Sequence, residues 1–177
     1  MLKLYTIKIK TELLLRIFKN EKFFWDLKQT DYIVEKLNDL VILNEEIESA
    51  YNKASNELKF ADNVAFSKQS ASQRNKFIQV LNKELKRYDE NNEMQIVLKR
   101  RFHLIRTNFK QQVKIGNDLD FLSKVYSNEL LCVNKYDELL SQINLPLSLC
   151  RALLKQRDIV QARIHLIERG EPIVAAL

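Results

Sequence analysis

Residues 119–170, LDFLSKVYSNELLCVNKYDELLSQINLPLSLCRALLKQRDIVQARIHLIERG, decide the fold. Leu122, Tyr126, Glu129, Val133, Tyr136 and Leu140 recur at alternating steps of four and three. Cys150, Leu153, Arg157, Val160, Ile164 and Ile167 do the same after the turn signal Asn144-Leu145-Pro146. Such spacing lays an apolar stripe along one side of an α-helix. The stretch therefore reads as two antiparallel helices joined by a short turn. Each stripe carries one charged residue in its middle, Glu129 in the first and Arg157 in the second.

The rest of the chain fits an all-α protein. Its 177 residues are one domain by length, and 46% of them are hydrophobic, enough for a core. Two Gly and two Pro are too few for a chain built on strands and tight turns. The net charge of +6 is local. Residues 1–28 hold seven Lys/Arg against three Asp/Glu, and residues 93–115 hold six against one. Cys132 and Cys150 form neither a disulfide framework nor a metal-binding spacing, and buried free thiols in a reducing compartment are expected. No run reaches the ~18 apolar residues of a membrane span. Leu13-Leu14-Leu15, cut off by Arg16, is too short for a signal peptide, so a cytoplasmic location is expected.

Outward from the deciding stretch, residues 1–29 read as a basic and aromatic N-terminal extension. A strand-like alternation runs through Leu2 to Lys10, and Phe23-Phe24-Trp25 lies among lysines. Such a segment suits docking on a membrane surface or a partner, and otherwise reads as a poorly ordered extension or a helix laid against the bundle. The domain itself is expected over residues 30–170, with 171–177 as a tail. Its first helix is expected to start at Thr30-Asp31, both good N-caps, and to bury Ile33, Leu37, Leu40, Asn44, Ile47, Tyr51, Ala54 and Leu58. The second, from Asp62-Asn63 to Tyr88, has a core-facing row of Leu85, Leu81 and Ile78 that projects back onto Arg74. The third, Glu93 to Ile115, pairs the row Met94, Leu98, Phe102, Ile105, Phe109, Val113 with a basic row, Lys99, His103, Arg106, Lys110 and Lys114. Gly116 is expected as its C′ stop, Asn117 with Asp120 as the cap of the fourth helix, and Gly170 with Pro172 as the close of the fifth.

Leu37-Asn38-Asp39-Leu40 followed by Glu48-x-x-Tyr51-x-Lys53-Ala54 resembles the first-helix signature of a known family. Ala71-x-Gln73-Arg74-x-x-Phe77 resembles the second, Arg100-x-Phe102 a third, and Glu129, Tyr136-x-Glu138, Leu145-Pro146 and Lys155-Gln156 the last hairpin. Over residues 31–169 the chain resembles the bacterial ferritin-like domain of unknown function that is distantly related to rubrerythrin. The resemblance implies a ferritin-like antiparallel four-helix bundle with an additional helix, and a general stress-associated role.

A ferritin-like di-metal centre takes lone glutamates from two helices and a Glu-x-x-His from each of the other two. Glu48 and Glu129 could supply the first pair, but Arg100 and Ala162 stand three residues before His103 and His165, and Ser70-Ala71-Ser72-Gln73 fills the second-helix position. An iron or manganese redox bundle is therefore the weaker reading. The stronger uses the residues present. Arg74 and Arg157 are expected to pair with Glu129 and Glu48 in a buried polar network completed by Gln73, Gln156, Tyr51 and Tyr136, without catalytic residues, metal or other cofactor. A carboxylate alone in a core costs several kcal/mol, and pairing with a guanidinium removes much of that. The function expected is non-catalytic, structural or through contact with a protein partner or a second copy. The basic row of the third helix could bind an anionic surface, but it lacks the interleaved aromatics of a nucleic-acid platform, and no nucleic acid is expected.

Overall fold

A computed structural model describes the backbone of residues 2–88 and 105–173 and the side chains of residues 29–88 and 105–173. Within them every regular element is helical. These are α1 (Leu2–Glu57), α2 (Ala61–Leu85) with a 3₁₀ turn after it (Lys86–Tyr88), α3 (105–112), α4 (Phe121–Leu140) and α5 (Leu147–Glu168). The chain divides into two compact units, Met1–Val34 and Glu35–Leu177. In the first unit the described backbone is helix, not strand: α1 runs from Leu2 straight through Thr30 and Asp31. Residues 1–57 contain neither Gly nor Pro, so nothing local ends the helix where a cap was expected. The basic and aromatic side chains of residues 1–28, Met94, Leu98, Lys99, Phe102 and His103 of the third helix, and residues 174–177 of the tail lie outside the described residues.

The second unit is held together by pairs that also set helix direction. Asn44 bonds to Arg74, and the Tyr51 and Phe66 rings meet edge to face at 5.8 Å, so α1 and α2 run antiparallel. Tyr136 bonds to Gln156 and Glu129 to Arg163, so α4 and α5 do too. Across α2 and α4 the numbering rises together, with Phe66 on Phe121 at 5.8 Å and Arg74 on Glu129. These two helices are parallel, so residues 86–120 join opposite ends of the pair. With a rise of about 1.5 Å per residue, α2 alone is roughly 37 Å long, a distance that a connection of this length can span.

Each helix buries the stripe its sequence dictates, with a shift in two of them. On α1 the projected row from Leu37 to Leu58 is buried throughout. On α2 the projected arginine is inside, among Phe66, Ala71, Phe77, Ile78 and Leu81. On α4 the stripe sits one residue earlier at its start: Phe121 and Val125 are inside, while Leu122 is exposed and Tyr126 half-buried. On α5 it is Leu149, Leu153, Gln156, Val160, Arg163 and Ile164 that are inside.

The ends of the helices are fixed by a few polar contacts. α5 closes as expected, with Gly170 at φ 65°, its N–H donating to the Ile167 carbonyl at 3.1 Å and that of Glu171 to Leu166 at 2.9 Å. Gly116 is not the C′ stop of α3, which ends at residue 112 with the Val113 N–H donating to the Phe109 carbonyl at 2.7 Å. A Cβ there would run into the Asp120 carboxylate and force that side chain to shift. The expected capping arrangement of α4 does not form: its N-cap is Asp120, without a side-chain hydrogen bond, and Asn117 Oδ1 instead closes the turn before the helix, accepting from the N–H of Leu119 at 2.9 Å. Asp118 reaches to the start of α2 and accepts from the N–H groups of Lys59 and Phe60 at 2.9 and 3.1 Å and from Asn63 Nδ2 at 3.0 Å. It satisfies the N–H groups of the two residues that lead into α2, the second of them the N-cap Phe60.

Candidate functional site

The middle of the second unit is polar. Glu129 of α4 lies at its centre with no exposure, and both of its oxygens are taken. Arg74 Nη2 donates to Oε2. Arg163 Nη1 and the Tyr51 hydroxyl donate to Oε1, at 3.3 and 2.9 Å. The second guanidinium nitrogen of Arg74 donates to Asn44 Oδ1 at 2.9 Å and meets Cys132 Sγ at 3.0 Å. Arg163 Nη2 donates to Gln73 Oε1. A second chain of bonds extends from there. The Tyr136 hydroxyl donates to Gln156 Oε1 at 2.7 Å and accepts from Asn44 Nδ2 at 3.4 Å, and Gln156 Nε2 donates to the Phe77 carbonyl at 3.3 Å. Four helices thus meet in one network. Its members are buried except Gln73, which is half-buried and opens the cluster toward solvent.

Burial by itself would push the Glu129 carboxyl up, but the charges of Arg74 and Arg163 and the hydrogen bonds from Arg74 and Tyr51 outweigh it and hold it below the usual carboxylate range. Burial pushes the Tyr51 and Tyr136 phenols well up, and the Cys132 thiol up against the pull of Arg74. All three are neutral near pH 7. Each guanidinium also lies on an aromatic face, Arg74 5.6 Å from the Phe77 centroid and Arg163 5.4 Å from that of Phe66.

Of the eight residues expected in the network, Glu129, Arg74, Gln73, Gln156, Tyr51 and Tyr136 come together. Arg157 and Glu48 do not. Arg157 is about a third exposed (30%) and makes a two-pronged pair with Asp137 at 3.0 and 3.3 Å. Glu48 accepts from Asn75 at the surface, at 3.1 Å. The second arginine is Arg163, 1% exposed, which the sequence reading passed over together with Asn44 and Cys132. Steps of four and three from Leu153 through Val160 to Ile164 fit a row through residue 157 as well as one through 156. The available signal was Gln156 and Arg163, seven residues apart, with Val160 between them. In the basic row of the third helix, Arg106 is tied to Glu45 and, at 3.0 Å, to Glu46 of α1. Lys110 and Lys114 are exposed.

A di-metal centre does not fit this donor set. Among the described residues Glu129 is the one carboxylate in the cluster, and two guanidiniums stand where cations would have to sit. Among the described residues no three His, Cys, Asp or Glu side chains gather as ligands, and no helix is long and apolar enough to cross a membrane. No family model, curated protein or solved structure matches the chain.

Proposed function

We propose that this chain is a ferritin-like four-helix bundle, related to rubrerythrin, that works without catalysis, through its structure and its contacts with a protein partner or a second copy. Two antiparallel pairs, α1–α2 and α4–α5, with parallel middle helices and one long connection between them, are the directions such a fold requires. The resemblance over residues 31–169 points the same way and brings with it the expectation of a bacterial, cytoplasmic, stress-associated protein.

The observation that carries the reading is the occupancy of Glu129. A carboxylate at the centre of such a bundle would ordinarily bridge metal ions. Here Arg74, Arg163 and Tyr51 use both of its oxygens, and the cationic charge comes from the chain itself. A network of this kind specifies which helices meet and in what register, more than it adds stability. Anaerobic purification followed by metal analysis tests the reading. Less than a tenth of an equivalent of iron or manganese per chain is expected. Near-stoichiometric metal that is lost on Glu129→Ala would overturn it.

A further inference from the structure

The cluster carries more positive than negative charge. Arg74 and Arg163 are 0% and 1% exposed, and the single carboxylate they face is Glu129. The remaining titratable groups against them, Tyr51, Tyr136 and Cys132, are neutral near pH 7 for the reasons given above. The other buried carboxylates stand elsewhere. Glu84 pairs with Arg87 at 2.6 Å, and Asp39 lies off the row Leu40, Asn44, Ile47, Tyr51 by which α1 meets the cluster. Among the described residues, one unit of positive charge is thus enclosed without a counter-charge. An isolated charge in that position costs several kcal/mol.

The hydrogen bonds are incomplete in the same sense. Nε of Arg74, Nε of Arg163 and the hydroxyls of Ser67 and Ser70 are all enclosed, and none has a hydrogen-bond partner. All four can donate, the two hydroxyls accepting as well. Three of them share one face of α2, since Ser67, Ser70 and Arg74 are spaced three and four residues apart. The fourth comes from across: the Arg163 guanidinium lies over the Phe66 ring and bonds to Gln73, which brackets the turn that carries Ser70. Unmatched donors and an unmatched positive charge on facing helices call for the same thing, an acceptor with one negative charge.

We propose that the centre of the bundle binds a small monovalent anion of halide size, held by the guanidiniums of Arg74 and Arg163 with the hydroxyls of Ser67 and Ser70. The site rests on the reading of the cluster as free of metal cations. Half-buried Gln73 is its way in. Gln73 also provides the control, because Gln73→Glu sets a fixed carboxylate against Arg163 and supplies the missing charge without an ion.

The test is thermal unfolding of the full chain in sodium bromide and in sodium gluconate at equal ionic strength. Bromide is weakly hydrated and, acting on surfaces alone, favours unfolding relative to gluconate. The expected result is the reverse: a midpoint about 5 °C higher at saturating bromide, reached along a single-site binding curve. In Gln73→Glu the two salts are expected to leave at most the small surface effect. In Ser70→Ala, which folds with the charges intact, half-saturation is expected at roughly tenfold higher bromide. Crystals grown in bromide should show one anomalous peak beside the Nε groups of Arg74 and Arg163, on the side away from Glu129. Equal midpoints in the two salts, or a lower midpoint in bromide with no buried peak, would overturn the proposal and leave the donors to water. Metal analysis separates this failure from that of the underlying reading. Metal-free protein without a bromide response loses the anion site alone, whereas stoichiometric iron removes both.

Discussion

Arg163 donates to the same carboxylate oxygen of Glu129 that accepts from Tyr51, at 3.3 Å against 2.9 Å, so helices α5 and α1 meet on one atom supplied by α4. The two arginines have no other carboxylate among the described residues of the cluster. Removing Glu129 leaves two enclosed guanidiniums facing each other without a counter-charge. Glu129→Gln is expected to destabilise the protein by about 3–5 kcal/mol in urea unfolding. Replacing the three together (Glu129→Leu, Arg74→Met, Arg163→Met) is expected to recover most of that loss, because no charge then remains to be desolvated. A triple variant less stable than Glu129→Gln would mean that the network contributes more than it costs.

Stability should depend on pH through the same carboxyl. Its folded value lies below its unfolded one, so the folded state binds the proton more weakly. The stabilisation is complete above the unfolded carboxylate value of about 4.3 and is lost as pH falls through the folded value. Unfolding free energy measured from about pH 6 to about pH 3 should therefore drop more steeply in the wild type than in Glu129→Gln. Parallel curves would show that Glu129 does not titrate with folding.

Two arginines on one helix give a direct contrast. Arg157 pairs with Asp137 in contact with water, where such pairs are worth about 0–1 kcal/mol. Arg163 is enclosed and holds Glu129. Arg157→Ala is expected to shift the urea midpoint little, and Arg163→Ala by the equivalent of about 3 kcal/mol or more. Equal effects would place the buried arginine wrongly.

Tyr136→Phe removes a hydroxyl that donates to Gln156 and accepts from Asn44. Gln156 Oε1 then has no donor within the core, and a loss of about 1–3 kcal/mol is expected, with the fold unchanged by circular dichroism. A change under 0.5 kcal/mol, roughly the size of a surface substitution, would show that the Gln156 amide rearranges to other partners.

What the sequence discloses follows from how strongly each position is constrained. The helices at the centre were legible because stripes from Leu37 to Leu58 and from Arg74 to Leu81 admit one burial pattern each. Arg74 and Glu129 were legible for the same reason, being charges on otherwise apolar rows. Arg163 was not, because the four-three alternation on α5 fits two rows about 100° apart, and only the partner helix decides between them. Asn44 lay on a legible row, but its bond to Arg74 depends on how far α1 slides along α2, which no local pattern records. Thr30 and Asp31 mark where a helix could begin and carry no instruction that one must.

The parallel run of α2 and α4 has a bearing on how the chain assembles. The hairpin α4–α5 brings its own acid and base, Glu129 and Arg163, and is charge-matched as it forms. The hairpin α1–α2 brings Arg74 and no carboxylate to meet it. A growing chain that has emerged only as far as residue 88 therefore holds half of an ion pair, whose other half follows at residue 129.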